Sequence, residues 1–200
     1  MEAAAAALSA GRLVVVPTET VYGLAADPMA AGATDRVFAA KRRPRELTLP
    51  ILVADVEQAR GVAALDSRAE ALAAAFWPGA LTIVTRRRGA SSSWDLGAQR
   101  GSIGVRLPDH PVALSLLRRS GPLAVTSANV SGEPTALDCD GVLRDIGDHV
   151  AIALCWGPIP RGRSSTVVDV TGTEVQVLRE GEISSAAIRA VAEGAPEGLG

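Results

Sequence analysis

Leu13-Val14-Val15-Val16-Pro17-Thr18-Glu19-Thr20-Val21-Tyr22-Gly23-Leu24 is the stretch on which the fold turns. Residues 13–16 are an apolar, β-branched run that stops at a proline, the mark of a buried strand. Behind that strand comes a loop dense in side-chain oxygens. Polar groups set directly beyond a buried strand are where α/β proteins collect ligands. Ahead of it, the alanines at 3–7 with Leu8, closed by Gly11, predict a first helix.

The same alternation continues down the chain. A helix over 34–41 is stopped by Arg43-Pro44, because the residue before a proline avoids the helical region. Strands are predicted at 49–53, 81–85, 103–107, 123–126, 151–155, 166–170 and 175–178. Helices are predicted at 55–62, 67–76, 111–120, 138–146 and 184–191. Strand and helix taking turns in this way predicts an α/β sheet, mixed toward its end where two strands are joined by a turn. One domain over 1–192 is expected, followed by a disordered tail over 193–200 rich in Gly, Pro and Ala.

Composition narrows the function classes. With 200 residues and 48% hydrophobic content, the chain has apolar area enough to bury a core, which excludes a disordered protein. Its apolar runs fall far short of the roughly 20 residues needed to cross a bilayer. The start lacks the basic segment of a secretory signal, so no membrane association and a cytoplasmic location are expected. Cys139 and Cys155 have no metal-ligand spacing and read as two thiols without chemistry. His110 and His149 accompany no nucleophile motif, so a histidine-dependent hydrolase is not expected. Lys and Arg total 20 against 22 Asp and Glu, a net charge of −2, which argues against a continuous nucleic-acid coat. Only Lys41 is a lysine, which suggests that its position wants a compact ammonium and not a planar fork.

Polar clusters stand beyond strands at Thr18 to Tyr22, Lys41 to Arg45, Ser102 to Arg106, Thr126 to Thr135, and Arg163 to Thr166 with Arg179. Singly, each has a structural reading as a turn, a solvated helix end or a helix cap. Together, arginines and hydroxyls without a Walker or dinucleotide glycine pattern point to an anionic ligand held by side chains. A nucleotide bound without a P-loop fits that description.

Several motifs then align in order. Pro17 to Leu24, Lys41-Arg42-Arg43-Pro44, Phe76-Trp77-Pro78-Gly79-Ala80-Leu81-Thr82, Gly104-Val105-Arg106-Leu107-Pro108 with His110-Pro111, Thr126-Ser127-Ala128-Asn129-Val130-Ser131-Gly132, Ser164-Ser165-Thr166-Val167-Val168-Asp169 and Val177-Leu178-Arg179 resemble the YrdC-like threonylcarbamoyl-AMP synthase family. The resemblance implies a twisted, mostly mixed or antiparallel sheet with flanking helices and a concave, positively lined face. It implies condensation of L-threonine, bicarbonate or CO2, and ATP into threonylcarbamoyl-AMP and pyrophosphate, with Mg2+ accompanying ATP. The product would serve tRNA modification through partner proteins of a threonylcarbamoyl transferase complex. By motif position Thr20, Arg106 and Ser165 would contact threonine, and Arg43, Ser102, Ser127, Thr135 and Arg179 the ATP. Lys41 and Arg43 would be the catalytic pair; the metal ligands are left unassigned.

The chain departs from the family pattern in places. Glu180 stands where a proline is common, Ser102 where threonine is common, and Leu47 where many relatives carry a polar residue. Glu19 is left open between ligand and loop brace. An RNA-binding paralogue without threonine-dependent activity is the alternative, with Arg42, Arg43, Arg45 and Arg86 to Arg88 as its basic surface; 3% aromatics give it little to stack bases on.

Overall fold

The computed structural model describes residues 1–159 and 162–194. In chain order its elements are α1 (Glu2–Ser9), β1 (Leu13–Val16), β2 (Gly23–Ala26), α2 (Ala33–Ala40), β3 (Ile51–Leu52), α3 (Val56–Val62), β4 (Ala63–Ala64), α4 (Ser67–Phe76), β5 (Leu81–Arg87), β6 (Ser102–Arg106), α5 (Pro111–Ser120), β7 (Leu123–Ser127), α6 (Cys139–Ile146), β8 (Val150–Ala153), β9 (Thr166–Asp169), β10 (Gln176–Arg179) and α7 (Ser185–Glu193). The helix starts follow capping chemistry. Asp55, Asp66, Asp138 and Ser184 each accept a backbone N–H of the first turn, worth about 1 kcal/mol apiece.

The strands make one mixed sheet in the order β10-β9-β5-β6-β3-β7-β2-β1-β8, with β4 paired to β5 off that path. The pairs β1 with β8, β3 with β6 and β5 with β9 are parallel; the rest are antiparallel. Because side chains alternate along a strand, the sheet sorts its residues onto two faces. On one face Leu81, Ile83, Ile103, Val105 and Val168 share a core with Phe38 of α2, Leu72 of α4, Val142 of α6 and Ile188 of α7. On the other, Val14, Val16, Leu52 and Val125 pack with Leu8 of α1 and Leu116 and Leu117 of α5. This second cluster holds no residue of β5, β6 or β9. There the alternate positions are Thr82 and Val84, Ser102, Gly104 and Arg106, and Val167 and Asp169, and they line a cleft instead of a core.

Three expectations change. Gly23 and Leu24, read as loop, open strand β2, which lies between β7 and β1. Cys139 and Cys155, read as free thiols, are joined in a disulfide with Cα atoms 5.5 Å apart. Helix α6 packs on β8 and brings them together although 16 positions separate them, and closing such a loop restricts the unfolded chain by about 3 kcal/mol. Helix α7 runs on to Glu193, where the tail was expected to begin. The remainder of that tail, 195–200, lies outside the described residues. Among the described residues no helix is long and apolar enough to cross a membrane.

Candidate functional site

The cleft has a volume of about 520 Å³ and is floored by the open part of the sheet. Gly104 keeps that floor clear, since a Cβ there would sit 3.2 Å from the Thr82 side chain. Its walls are the 18–21 loop that follows β1, the segment after α2, and the 164–171 and 178–179 stretches of β9 and β10.

At one end the 18–21 loop folds on itself. Thr18 Oγ1 donates to the Val21 carbonyl and sits 2.9 Å from Thr20 Oγ1. Arg106, the last residue of β6, is buried beside them. Its Nη2 donates to Thr20 Oγ1 (2.9 Å) and to Glu19 Oε1 (2.6 Å), and its Nε to the Gly79 carbonyl (3.0 Å). The Trp77-Pro78 peptide is cis, and the turn it begins presents that carbonyl, while Trp77 Nε1 donates to Leu81 O at 2.7 Å. Glu19 is thereby a brace: its second oxygen accepts from the Asp109 backbone N–H at 3.1 Å.

Arg43 and Arg179 are further residues of the cleft wall. Arg43 donates to the Leu47 and Thr48 carbonyls, and Arg179 to the Ser165 carbonyl at 2.8 Å and to its hydroxyl at 3.3 Å. Ser165 Oγ also lies 2.9 Å from Thr82 Oγ1, so this serine joins the wall to the sheet floor. Burial holds both guanidiniums below the usual arginine range. A neighbouring like charge lowers each further, Arg179 acting on Arg43 and Arg106 acting on Arg179. Cleft-lining positive charges with no carboxylate bonded to them among the described residues attract an anion.

Thr20, Arg43, Ser102, Arg106, Ser127, Ser165 and Arg179 all line this one cleft. Lys41 and Thr135 are not among its walls. Lys41 is fully buried behind them, its Nζ donating to the carbonyls of Ser127 and Asn129 and to Asn129 Oδ1 (3.2 Å), which uses the ammonium's three hydrogens. Burial first, and then Arg43, lowers its pKa from the ordinary 10.5 to about 8. Thr18, Thr82 and Asp169 are wall residues that lie within the motifs but carry no assigned ligand role in the sequence reading. Thr82 carried a signal, a polar residue inside an apolar run at the alternation of a strand. The proposed basic surface is broken up: Arg43 faces the cleft, Arg45 pairs with Asp35 and Asp95, and Arg87 donates to the carbonyls of Ser91, Trp94, Gln99 and Ser102. No group of three or more His, Cys, Asp or Glu side chains that could hold a metal occurs among the described residues.

The architecture is that of a mixed-sheet α/β protein whose single cleft gathers hydroxyls, a braced arginine and two further arginines, groups suited to a polar anionic small molecule. The sequence profile of the Sua5/YciO/YrdC family, described as "Telomere recombination", matches residues 6–181, and the chain belongs to that family. A Mycobacterium tuberculosis protein is 43% identical over 189 residues, covering 94% of this chain and 87% of its own length. The threonylcarbamoyl-AMP synthase of Vibrio cholerae is 35% identical over 90% of this chain and 97% of its own. Among solved structures, P. abyssi Sua5 complexed with L-threonine superposes with a TM-score of 0.86 at 35% identity, covering 94% of this chain and 56% of that one. E. coli YciO shares the fold, with a TM-score of 0.85 at 23% identity.

Proposed function

We propose that the protein is an L-threonylcarbamoyladenylate synthase, a nucleotidyltransferase that forms threonylcarbamoyl-AMP and pyrophosphate from L-threonine, bicarbonate or CO2, and ATP. The observation that carries this reading is the convergence of Thr20, Arg106 and Ser165 with Arg43, Ser127 and Arg179 on a single cleft, in a chain whose relatives bear that name. Thr20, Arg106 and Ser165 take the threonine; Arg43, Ser102, Ser127 and Arg179 take the ATP. Lys41 serves the phosphate end from behind, by shaping the Ser127 to Asn129 backbone.

The chemistry suits these groups. The threonine amine adds to CO2 and releases a proton to give a carbamate. A carbamate oxygen then attacks the α-phosphorus, and the bond to the β-phosphate oxygen breaks to release pyrophosphate. Such a displacement depends on alignment and charge neutralisation, so arginine forks and hydroxyls suffice without a protein nucleophile. Magnesium belongs with the triphosphate as part of the substrate; among the described residues Asp169 is the one carboxylate on the cleft wall, and its Oδ1 accepts from Thr171. The product is a labile mixed anhydride, and we place its use in tRNA modification, through partner proteins that collect it from this cytoplasmic enzyme. The test is pyrophosphate release with threonine, bicarbonate, magnesium and α-labelled ATP, with the adenylate identified by mass. Release that requires both threonine and bicarbonate is expected; release independent of threonine would overturn the reading.

A further inference from the structure

Arg106 carries five N–H donors, and the structure accounts for three of them. Nε–H goes to the Gly79 carbonyl, and the two Nη2 hydrogens go to Glu19 Oε1 and Thr20 Oγ1. Nη1 has no hydrogen-bond partner among the described residues, and Arg106 lines the cleft. Glu19 and Arg106 are an enclosed pair, their side chains 10% and 8% exposed. The carboxylate is itself anchored, because Oε2 accepts the Asp109 backbone N–H ahead of α5. Every donor of the fork except the Nη1 edge is thus committed to the chain.

The hydroxyls beside it have a fixed polarity. Thr18 gives its only hydrogen to the Val21 carbonyl, so in the Thr18–Thr20 contact Thr20 must be the donor. Thr20 Oγ1 also accepts from Arg106, so it meets the cleft with a lone pair and no hydrogen. The wall therefore offers one uncommitted Nη1 amino group that suits a carboxylate oxygen, next to one acceptor that suits an ammonium or hydroxyl.

We propose that Glu19 is a positioning residue of the amino-acid subsite: by occupying Nη2 it fixes the Arg106 guanidinium so that only Nη1 is left for the substrate carboxylate, and it holds Thr20 as an acceptor. This rests on the threonine reading above. Without Glu19 the guanidinium loses one of its three anchors and the donor edge is no longer aimed, and misalignment of a positioning group by about 1 Å is enough to cost catalysis heavily. Glu19 touches no substrate atom in this account and acts only through Arg106.

Two variants and two readouts test it. Glu19→Ala removes both contacts, while Glu19→Gln keeps an acceptor for Arg106 but cannot accept from Asp109 with its amide nitrogen. Both are first checked for an unchanged circular dichroism spectrum. In steady-state pyrophosphate release, Glu19→Ala should raise the KM for threonine about tenfold and Glu19→Gln by less, with the KM for ATP within about twofold of wild type. In ligand-free protein the Arg106 Nε–H resonance, assigned by its loss in Arg106→Lys, should be slowly exchanging in wild type and broadened or lost in Glu19→Ala. An unchanged threonine KM in both variants overturns the proposal whatever the resonance does. A wild type with no threonine-dependent turnover would overturn the proposed function instead, and the resonance then still decides whether Glu19 fixes the guanidinium.

Discussion

Around Thr20 a buried guanidinium meets a buried carboxylate and its neighbours are already bonded to it, whereas Arg43 and Arg179 line the same cleft with no carboxylate bonded to either among the described residues. The first end is preorganised: its geometry exists before a ligand arrives, and the ligand completes it. The second has no such carboxylate: burial first, and then a neighbouring like charge, lowers the pKa of both arginines, and an anion relieves this. An amino acid needs shape and one fixed charge; a triphosphate needs neutralisation. The division of labour follows from that difference, and substitutions at the two ends should fail in different ways.

The largest effect is expected at the preorganised end. Arg106→Ala removes the donor edge and strands Glu19 as a buried carboxylate without its cation, a loss of about 2 to 5 kcal/mol. Threonine-dependent kcat/KM should fall by two orders of magnitude or more while ATP binding measured by calorimetry stays within a few-fold. Threonine affinity changed by less than threefold would break the comparison.

Next in size is the lysine behind the phosphate end. Its folded pKa of about 8 lies below the ordinary 10.5, so between those pH values the unfolded chain holds the proton that the folded chain has released. Stability then rises with pH over that window, by about 3 kcal/mol in total for this one group, and the cost is present in full below pH 8. Urea unfolding of wild type and Lys41→Met at several pH values between 7.5 and 10.5 should show the difference between them growing in favour of wild type. A difference that stays flat would mean the ammonium is not held against burial.

How much of this was legible in the sequence divides along similar lines. The β-branched run 13–16, the alternating elements and the residues clustered beyond strands are local signals, and they sufficed for the α/β class and for most of the wall. Strand β2 was not legible, because Gly23-Leu24-Ala25-Ala26 lacks β-branched residues; a Cβ at Gly23 would meet the Val125 side chain at 2.5 Å, so close approach to β7 set the composition there. The bond between Glu19 and Arg106 spans 87 positions, and no spacing rule encodes it. The single lysine announced that position 41 is special, but its acceptors are backbone carbonyls of the 127–129 segment, which any sequence would supply. The disulfide was hidden for the same reason, since only the docking of α6 on β8 makes its two cysteines neighbours.

A smaller effect should sharpen the contrast at the charge-unbalanced end. Arg179→Ala or Arg43→Ala each removes charge-assisted bonds worth about 1.5 to 3 kcal/mol, raising the KM for ATP roughly ten- to a hundredfold and leaving the KM for threonine less affected. Because Arg43 is only partly buried and Arg179 is exposed, the penalty should shrink as salt is raised. A penalty independent of ionic strength would mean that this end, too, works by fixed geometry.

Thr135 should give the smallest effect of all. It belongs by motif to the ATP set, yet it is not among the cleft walls, and the segment leading to it is held from its far side, where Asn129 Nδ2 donates to the carbonyls of Val130 and Glu133. Asn129 is in turn held by Lys41, so the segment is tied to the body of the protein at its base while Thr135 lies six residues further on. If the phosphate end works as the structure presents it, Thr135→Ala removes a hydroxyl that meets no nucleotide, and the KM for ATP should stay within about twofold of wild type, the range of an ordinary surface substitution of about 0.5 kcal/mol or less. A tenfold rise would carry a definite meaning, because it requires the 131–137 segment to come onto the nucleotide after binding. In that case the phosphate end is completed by movement and the threonine end by prior assembly, and the contrast between them becomes one of timing as well as of charge. Steady-state kinetics of Thr135→Ala beside Ser127→Ala, a residue of the wall, separates the two outcomes.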